Sequence, residues 1–245
     1  MKNAFKKAPG QQLPFSVPES LSRMVERYLE AEIVEGRLAV GTRLNPEEIA
    51  QRLNISKSPV REAMILLQRE GLVTGKPRSI FVVSEISRAD LQEIYPIRAS
   101  LNALAVKGIM QSPSAEAIIA SLAGYLEIMR SYAEARDSAE YFHASIDFYN
   151  CLISSCGNQR LQAMWNQLSR QVLRFRFLVM SQPGHPAQSI VEHLRLIEAM
   201  KEGNVENAMR LSEEIIYGAL ASLERILVSD QSLADARGVG YKDGQ

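Results

Sequence analysis

No apolar run in this 245-residue sequence approaches the roughly 18 to 20 residues that cross a bilayer, so a membrane-spanning helix is not expected. The opening MKNAFKKAPGQQ lacks the apolar core of a secretory signal, and the expectation is a soluble, cytoplasmic protein. Cysteine is nearly absent. Cys151 and Cys156 are the only two, five positions apart in what reads as one helix, too few for a disulfide framework or a paired metal or redox motif. They read as small buried hydrophobes in a reduced compartment. Excess charge is lacking too: 28 basic and 28 acidic residues cancel, which argues against indiscriminate polyanion binding and confines any nucleic-acid surface to a local patch. Apolar residues, at 46%, are plentiful enough for a packed core, and the length allows one large domain or two smaller ones.

One basic patch exists. Between Lys57 and Arg78 lie five basic residues (Lys57, Arg61, Arg69, Lys76, Arg78) against two acids (Glu62, Glu70), and Lys2, Lys6 and Lys7 add charge to the N-terminal arm. Residues 1–17, with Gly10 and Pro14 among polar residues, read as a flexible arm. A helix is then expected from Pro18-Glu19-Ser20 to about Gly36, with Leu21, Met24, Val25, Tyr28, Leu29 and Ile33 on one face. Asn45-Pro46-Glu47-Glu48 reads as a helix start: Asn45 caps, Pro46 suits the first position and Glu48 closes a capping box. That helix ends near Asn54. A third runs from Ser56–Ser58 to Glu70, where Gly71 stops it. Two β-prone runs follow, Leu72–Thr74 and Ile80–Val83, joined by a turn carrying Lys76 and Arg78. No further strand signal is present. From Ser87 the pattern is amphipathic helix after helix, about 87–111, 114–135, 138–156, 159–181, 186–202 and 205–228, punctuated by Ser112-Pro113, Asp137, Gly157-Asn158, Pro183-Gly184 and Gly203-Asn204. The tail, 229–245, reads as disordered.

Helix, short capped helix, tight turn, helix and hairpin is the order of a winged helix-turn-helix, whose last helix enters the major groove. Val60, Ala63, Met64 and Leu67 share a face that can pack on Ile49, Ala50 and Leu53, leaving Lys57, Ser58, Arg61 and Gln68 outward. The positive end of this helix dipole, with the Ser56 and Ser58 hydroxyls, suits phosphate. Arg61 is placed for a bidentate contact to guanine O6/N7, Lys57 for phosphate or base, and Lys76 with Arg78 for the adjacent backbone or minor groove.

The run EGRLAVGTRLNPEEIAQRLNISKSPVREAMILLQREGLVTGKPRSIFVV closely resembles the N-terminal domain of the GntR superfamily of bacterial regulators, whose signature includes G-x-L-x-x-G-x-x-L, PVREAL and EGLV segments ending in a wing. Lys57 stands where the signature has arginine, and Ser79 where the wing has glycine. The remainder resembles the FCD ligand-binding domain of the FadR subfamily, an all-α antiparallel bundle. The carriers are Asp90–Arg98, Cys156-Gly157-Asn158-Gln159-Arg160-Leu161, Glu192-His193 and Glu202-Gly203-Asn204 with Ala208. The fold class is therefore mostly α, with a winged helix-turn-helix over 18–84 and an effector-binding and dimerisation bundle over 87–228. The resemblance implies a ligand-responsive regulator that binds an inverted-repeat operator in double-stranded DNA as a homodimer. Its effector would be a small organic acid or similar metabolite held in a buried pocket.

Many such domains hold a metal through an Asp-x-x-x-His pair before the Gly-Asn turn and two later histidines. Counting from Gly157-Asn158, those positions are Ser145, Tyr149, His193 and Ile215. One ligand of four survives, so no metal and no cofactor is expected. His143 and Asp147, two residues out of register, turn roughly 200° away from the pocket and read as a surface pair. The effector contacts expected in place of a metal are Arg98, Tyr149, Arg174, Arg176 and His193. Two other classes remain open at this stage: a dimerisation bundle that senses nothing, which a sealed apolar centre would favour, and an α-helical enzyme using His143, Asp147, His185 and His193. The second has little support, with three histidines, no Ser-His-Asp order and no phosphate loop.

Overall fold

The computed structural model describes residues 20–75, 80–85 and 87–236, with side chains to residue 228. Three helices open the chain: α1 (Leu21–Val34), α2 (Pro46–Leu53) and α3 (Lys57–Arg69). Their ends follow local chemistry. Asn45 Oδ1 accepts from Glu47 N at 3.0 Å with Pro46 in the first turn, and α2 closes at Asn54 in the left-handed region, φ 53°. The expected capping box at Glu48 takes another form: Asn45 Nδ2 donates to Glu48 Oε1 at 2.8 Å, side chain to side chain.

Strands β2 (Val73–Thr74) and β3 (Phe81–Val83) form the expected hairpin, but they are joined by β1 (Arg43–Leu44), giving an antiparallel sheet of order β1-β3-β2. Two residues are too few to display a period of two, which is why β1 escaped the sequence reading. The core of this unit draws Val25, Leu29 and Ile33 from α1, Val60, Ala63, Met64 and Leu67 from α3, and Phe81 and Val83 from the sheet.

The α1 face differs from expectation. The helix is capped by Ser20 rather than opening at Pro18, which lies outside the described residues, and Leu21, Met24 and Tyr28 are exposed while Ser22 and Glu26 are buried. The cause is tertiary. One side of α1 packs on α3 and another meets the C-terminal bundle, so a charged residue is buried where apolarity alone would have put it outside.

The bundle comprises α4 (Arg88–Met110), α5 (Ala115–Ala135), α6 (Ser138–Ser154), α7 (Gln159–Gln171), α8 (Leu173–Met180), α9 (His185–Lys201) and α10 (Val205–Ala236). Helix α4 starts in a capping box in which Ser87 Oγ accepts from Asp90 N at 3.1 Å and Asp90 Oδ2 accepts from Ser87 N at 2.8 Å. It lies along α10, while α5 packs on α6 and α9. Three boundaries correct the sequence reading. The segment 159–181 is not one helix: it turns at buried Val172, which ends α7 and begins α8 with no proline or glycine to announce it. Cys156 falls beyond the end of α6 and is buried, whereas Cys151 is half-buried within it. Helix α10 continues to Ala236, so residues 229–236 are helical rather than a disordered tail.

The two units meet where α1 packs on α8. Val34, Phe142 and Leu173 form a small apolar cluster between them. Beside it, Glu70 at the end of α3 pairs with Arg170, and Gly71 leaves the space that Gln171 uses: a Cβ on Gly71 would stand 3.0 Å from Gln171 Cγ.

Candidate functional site

The surface that would face the groove is built by the tight turn from Asn54 to Ser56 and the first turn of α3. Ser56 caps α3 with its backbone extended; its side chain is exposed and makes no capping bond, so the first amides of α3 are left without a partner from it. Ser58 and Arg61 are exposed, and Arg61 has no ion pair or side-chain hydrogen bond among the described residues. Lys57 is different: its ammonium pairs with Glu47 on α2. Both groups are substantially exposed, so the pair contributes at most about 1 kcal/mol and a DNA phosphate can displace Glu47.

Gln68 does not belong to this surface. It sits eleven residues beyond Lys57, roughly 16 Å along the helix, and its Nε2 donates to Gly75 O at 2.6 Å, tying α3 to the base of the hairpin. Lys76 and Arg78 lie outside the described residues.

In the bundle, Arg98 from α4, Tyr149 from α6, Arg176 from α8 and His193 from α9 converge on one cavity of about 40 Å³, walled on its apolar side by Val179, Ile215 and Ile216. Arg174 does not join them. It lies against the Phe175 ring at 4.5 Å, and being two residues from Arg176 it faces the other way around α8. His185, Ser189 and Glu192 also line the cavity; the sequence names His185 only for the enzyme alternative and Glu192 only within the family motif, and none of the three as an effector contact. The spacing that could have found Ser189 and Glu192 is that of their helix: they flank His193 on α9. Glu192 is half-buried and accepts from Gln188 Nε2 at 2.8 Å.

His193 Nδ1 donates to Ser189 O at 2.7 Å, which leaves Nε2 to accept from the Tyr149 hydroxyl at 3.3 Å. Burial lowers the imidazole to about pH 4 and raises the Tyr149 phenol to about 12. Burial therefore holds His193 neutral at physiological pH, which favours a hydrogen-bonding role for it.

The cations are the two arginines. Arg98 is 2% exposed and Arg176 7%, and neither has an ion pair among the described residues. Arg98 lies over the Trp165 ring at 4.8 Å with its Nε unpartnered, and Arg176 over the Tyr149 ring at 5.4 Å, with Nη2 donating weakly to Ser145 Oγ at 3.4 Å. Burial, then the charge of Arg98, brings Arg176 down to about 10; burial also lowers Arg98.

Ser145, Tyr149, His193 and Ile215, where the resemblance implies metal ligands, do cluster, but as a set they do not fit a divalent ion. One neutral nitrogen faces a hydroxyl, a phenol and an alkyl chain, with a guanidinium against Ser145. No group of three or more His, Cys, Asp and Glu converges anywhere among the described residues. His143 and Asp147 are exposed on the opposite side of α6 from Tyr149's neighbour Ser145.

A reading helix with an exposed arginine, set on a sheet-backed three-helix unit and joined to a helical bundle, defines a DNA-binding transcription regulator. Residues 21–83 match the bacterial regulatory proteins of the gntR family, and residues 93–218 match the FCD domain. The chain belongs to the GntR family, in its FCD-containing form. It is similar to the HTH-type transcriptional regulator YdhC of Bacillus subtilis, 27% identical over 181 residues that cover 74% of this chain and 80% of that protein. The probable D-xylose utilization operon transcriptional repressor of Paenarthrobacter nicotinovorans is 28% identical over 190 residues, 77% of this chain and 82% of that one. Among solved structures, E. coli McbR/YncC superposes with a TM-score of 0.72 at 25% identity, covering 85% of this chain and 99% of that one. No described helix is long and apolar enough to cross a membrane.

Proposed function

We propose that this chain is a cytoplasmic, effector-responsive regulator that binds an inverted-repeat operator as a homodimer and senses a small organic acid without a metal. The observation that carries the sensing half is the pair of buried guanidiniums, Arg98 and Arg176, facing one cavity with no carboxylate paired to either. Buried charges are ordinarily matched, and two unmatched cations side by side call for an anion. Neutral His193 and Tyr149 supply hydrogen bonds beside it, and Ile215 with Ile216 an apolar wall, a combination suited to seating the carboxylate group itself. A polar cavity of this kind weighs against the bundle being a mere dimerisation module. Exposed Ile97 and Leu104, seven residues apart on α4, support a dimer contact on that face.

The DNA half rests on Arg61. Arg61→Ala should abolish discrimination between operator and scrambled duplex, a loss of about 1 to 3 kcal/mol per half-site. Lys76→Ala should weaken both duplexes alike and flatten the salt dependence. A competition gel shift in which Arg61→Ala keeps the wild-type specificity ratio would overturn the assignment.

Metal independence is tested separately. Protein purified without chelator should carry substoichiometric transition metal, and EDTA should change neither the melting temperature nor the effector response. One zinc or nickel per chain, lost in His193→Ala, would show that other donors have been recruited.

A further inference from the structure

The inner cavity, at about 40 Å³, has room for roughly one or two waters and for no organic acid. Next to it lies a cleft of about 410 Å³ between α1 of the DNA unit and α6, α7 and α8 of the bundle. This is within the size range of ligand sites, and at a domain boundary, where they concentrate. Tyr149 and Arg176 line both spaces, so the wall between them is two side chains, one lying over the other.

The lining of the cleft passes from buried to exposed: Arg176, Tyr149 and Trp165 are buried, Glu30 from α1 is half-buried, and the carboxamides of Asn150 and Asn166 are exposed. Ser169 is 7% exposed, lines the cleft and has an unpartnered Oγ. Arg23 and Glu26 neutralise each other in an ion pair at 2.8 Å. Burial, with Glu70 nearby, raises the Glu30 carboxyl, which suits it to hydrogen-bond a hydroxyl and makes it a poor neighbour for a second carboxylate.

We propose that this interdomain cleft is the outer lobe of the effector site, through which an anion reaches Arg176 and Arg98. A ligand filling both lobes is then a carboxylate with a hydroxyl-bearing body that touches α1 directly. The proposal rests on the anion reading of the inner cavity. It gives the DNA unit a direct contact with the effector: α1 packs on the reading helix α3, and filling the cleft bears on the α1–α8 contact.

Trp165 is the only tryptophan in the chain, which makes fluorescence quenching of the full-length protein a local probe. At matched ionic strength, iodide should quench it about threefold or more above caesium, because a cationic cleft concentrates anions. Ser169→Leu fills the cleft beside Trp165 and should bring iodide down to the caesium level. Asn166→Ala, a milder surface change, should leave quenching intact but remove any extra thermal stabilisation by D-glucuronate over hexanoate, carboxylates with and without hydroxyls. Iodide no better than caesium in the wild type, or equal stabilisation of the wild type by the two carboxylates, would overturn the proposal. If iodide selectivity survives Ser169→Leu but is lost in Arg98→Met, the inner anion site stands and the outer lobe falls. Loss of selectivity in every variant and in the wild type would remove both.

Discussion

Arg176→Met should melt at a higher temperature than the wild type and no longer respond to effector. Arg176 is 7% exposed, has one weak hydrogen bond at 3.4 Å to Ser145, and shares its cavity with the equally buried Arg98. Folding lowers its guanidinium to about 10, first through burial and next through Arg98. A lowered pKa on a basic group means that the unfolded chain binds the proton more tightly. The penalty is therefore present at every pH below the folded value and is relieved only as pH rises above about 10 towards the ordinary guanidinium range. Methionine fills the aliphatic path of the side chain without the charge, and replacing buried ions by apolar residues is commonly neutral or stabilising by about 1 to 4 kcal/mol. For a chain of this length the gain is on the order of 5 to 10 °C. The wild type recovers that stability when an anion binds, by mass action, and the variant does not. Differential scanning calorimetry checks the first half and operator release the second. A variant that melts below the wild type would mean that Arg176 is already neutralised within the fold.

Two unpaired cations in one cavity are a tertiary feature, and the same division between local and distant determinants runs through the whole fold. The fold class was legible because its determinants are local: Asn45-Pro46, Gly71, Ser87 with Asp90, and the Gly157-Asn158 turn all act on the helix ends beside them. Counting from that last turn brought Tyr149 and His193 to one cavity. What escaped was set by partners distant in sequence. The turn at Val172 has no punctuating residue, yet without it Leu173 and Arg176 would not reach α1's neighbour cluster and the cavity respectively. The α1 face was misjudged because Glu26 is buried at the junction with the bundle. Lys57 and Gln68 have partners in Glu47 and Gly75 that no periodicity displays. Arg174 is the exception, since helical spacing alone forbids it from sharing a face with Arg176.

Gly108→Ala should be among the most damaging single-methyl additions to the bundle. Gly108 lies inside α4, where alanine is ordinarily preferred by about 1 kcal/mol, and its backbone is not in a glycine-only conformation. The obstacle is the neighbour: a Cβ at this position would stand 2.6 Å from the backbone oxygen of Cys156. A carbonyl in a turn cannot swing aside as a side-chain tip can, because Cys156 is fixed between the end of α6 and the Asn158 cap of α7, whose Oδ1 accepts from Leu161 N at 3.0 Å. Either α4 retreats from the turn or the turn deforms. Overpacking of this kind costs about 1 to 3 kcal/mol, and the upper end outweighs the helix-propensity gain. The melting temperature should fall by on the order of 5 °C. The functional loss should exceed what stability explains, because the same approach sets Arg98 against Trp165 at 4.8 Å, and Arg98 is ten residues, close to three turns, from Gly108 on α4. Moving α4 outward separates the inner cation from the α7 aromatic while leaving the reading helix untouched. Gly108→Ala should thus keep operator affinity at temperatures below its melt and lose effector response. Unchanged melting together with an unchanged response would show that α4 and the Gly157 turn are not held in this close contact.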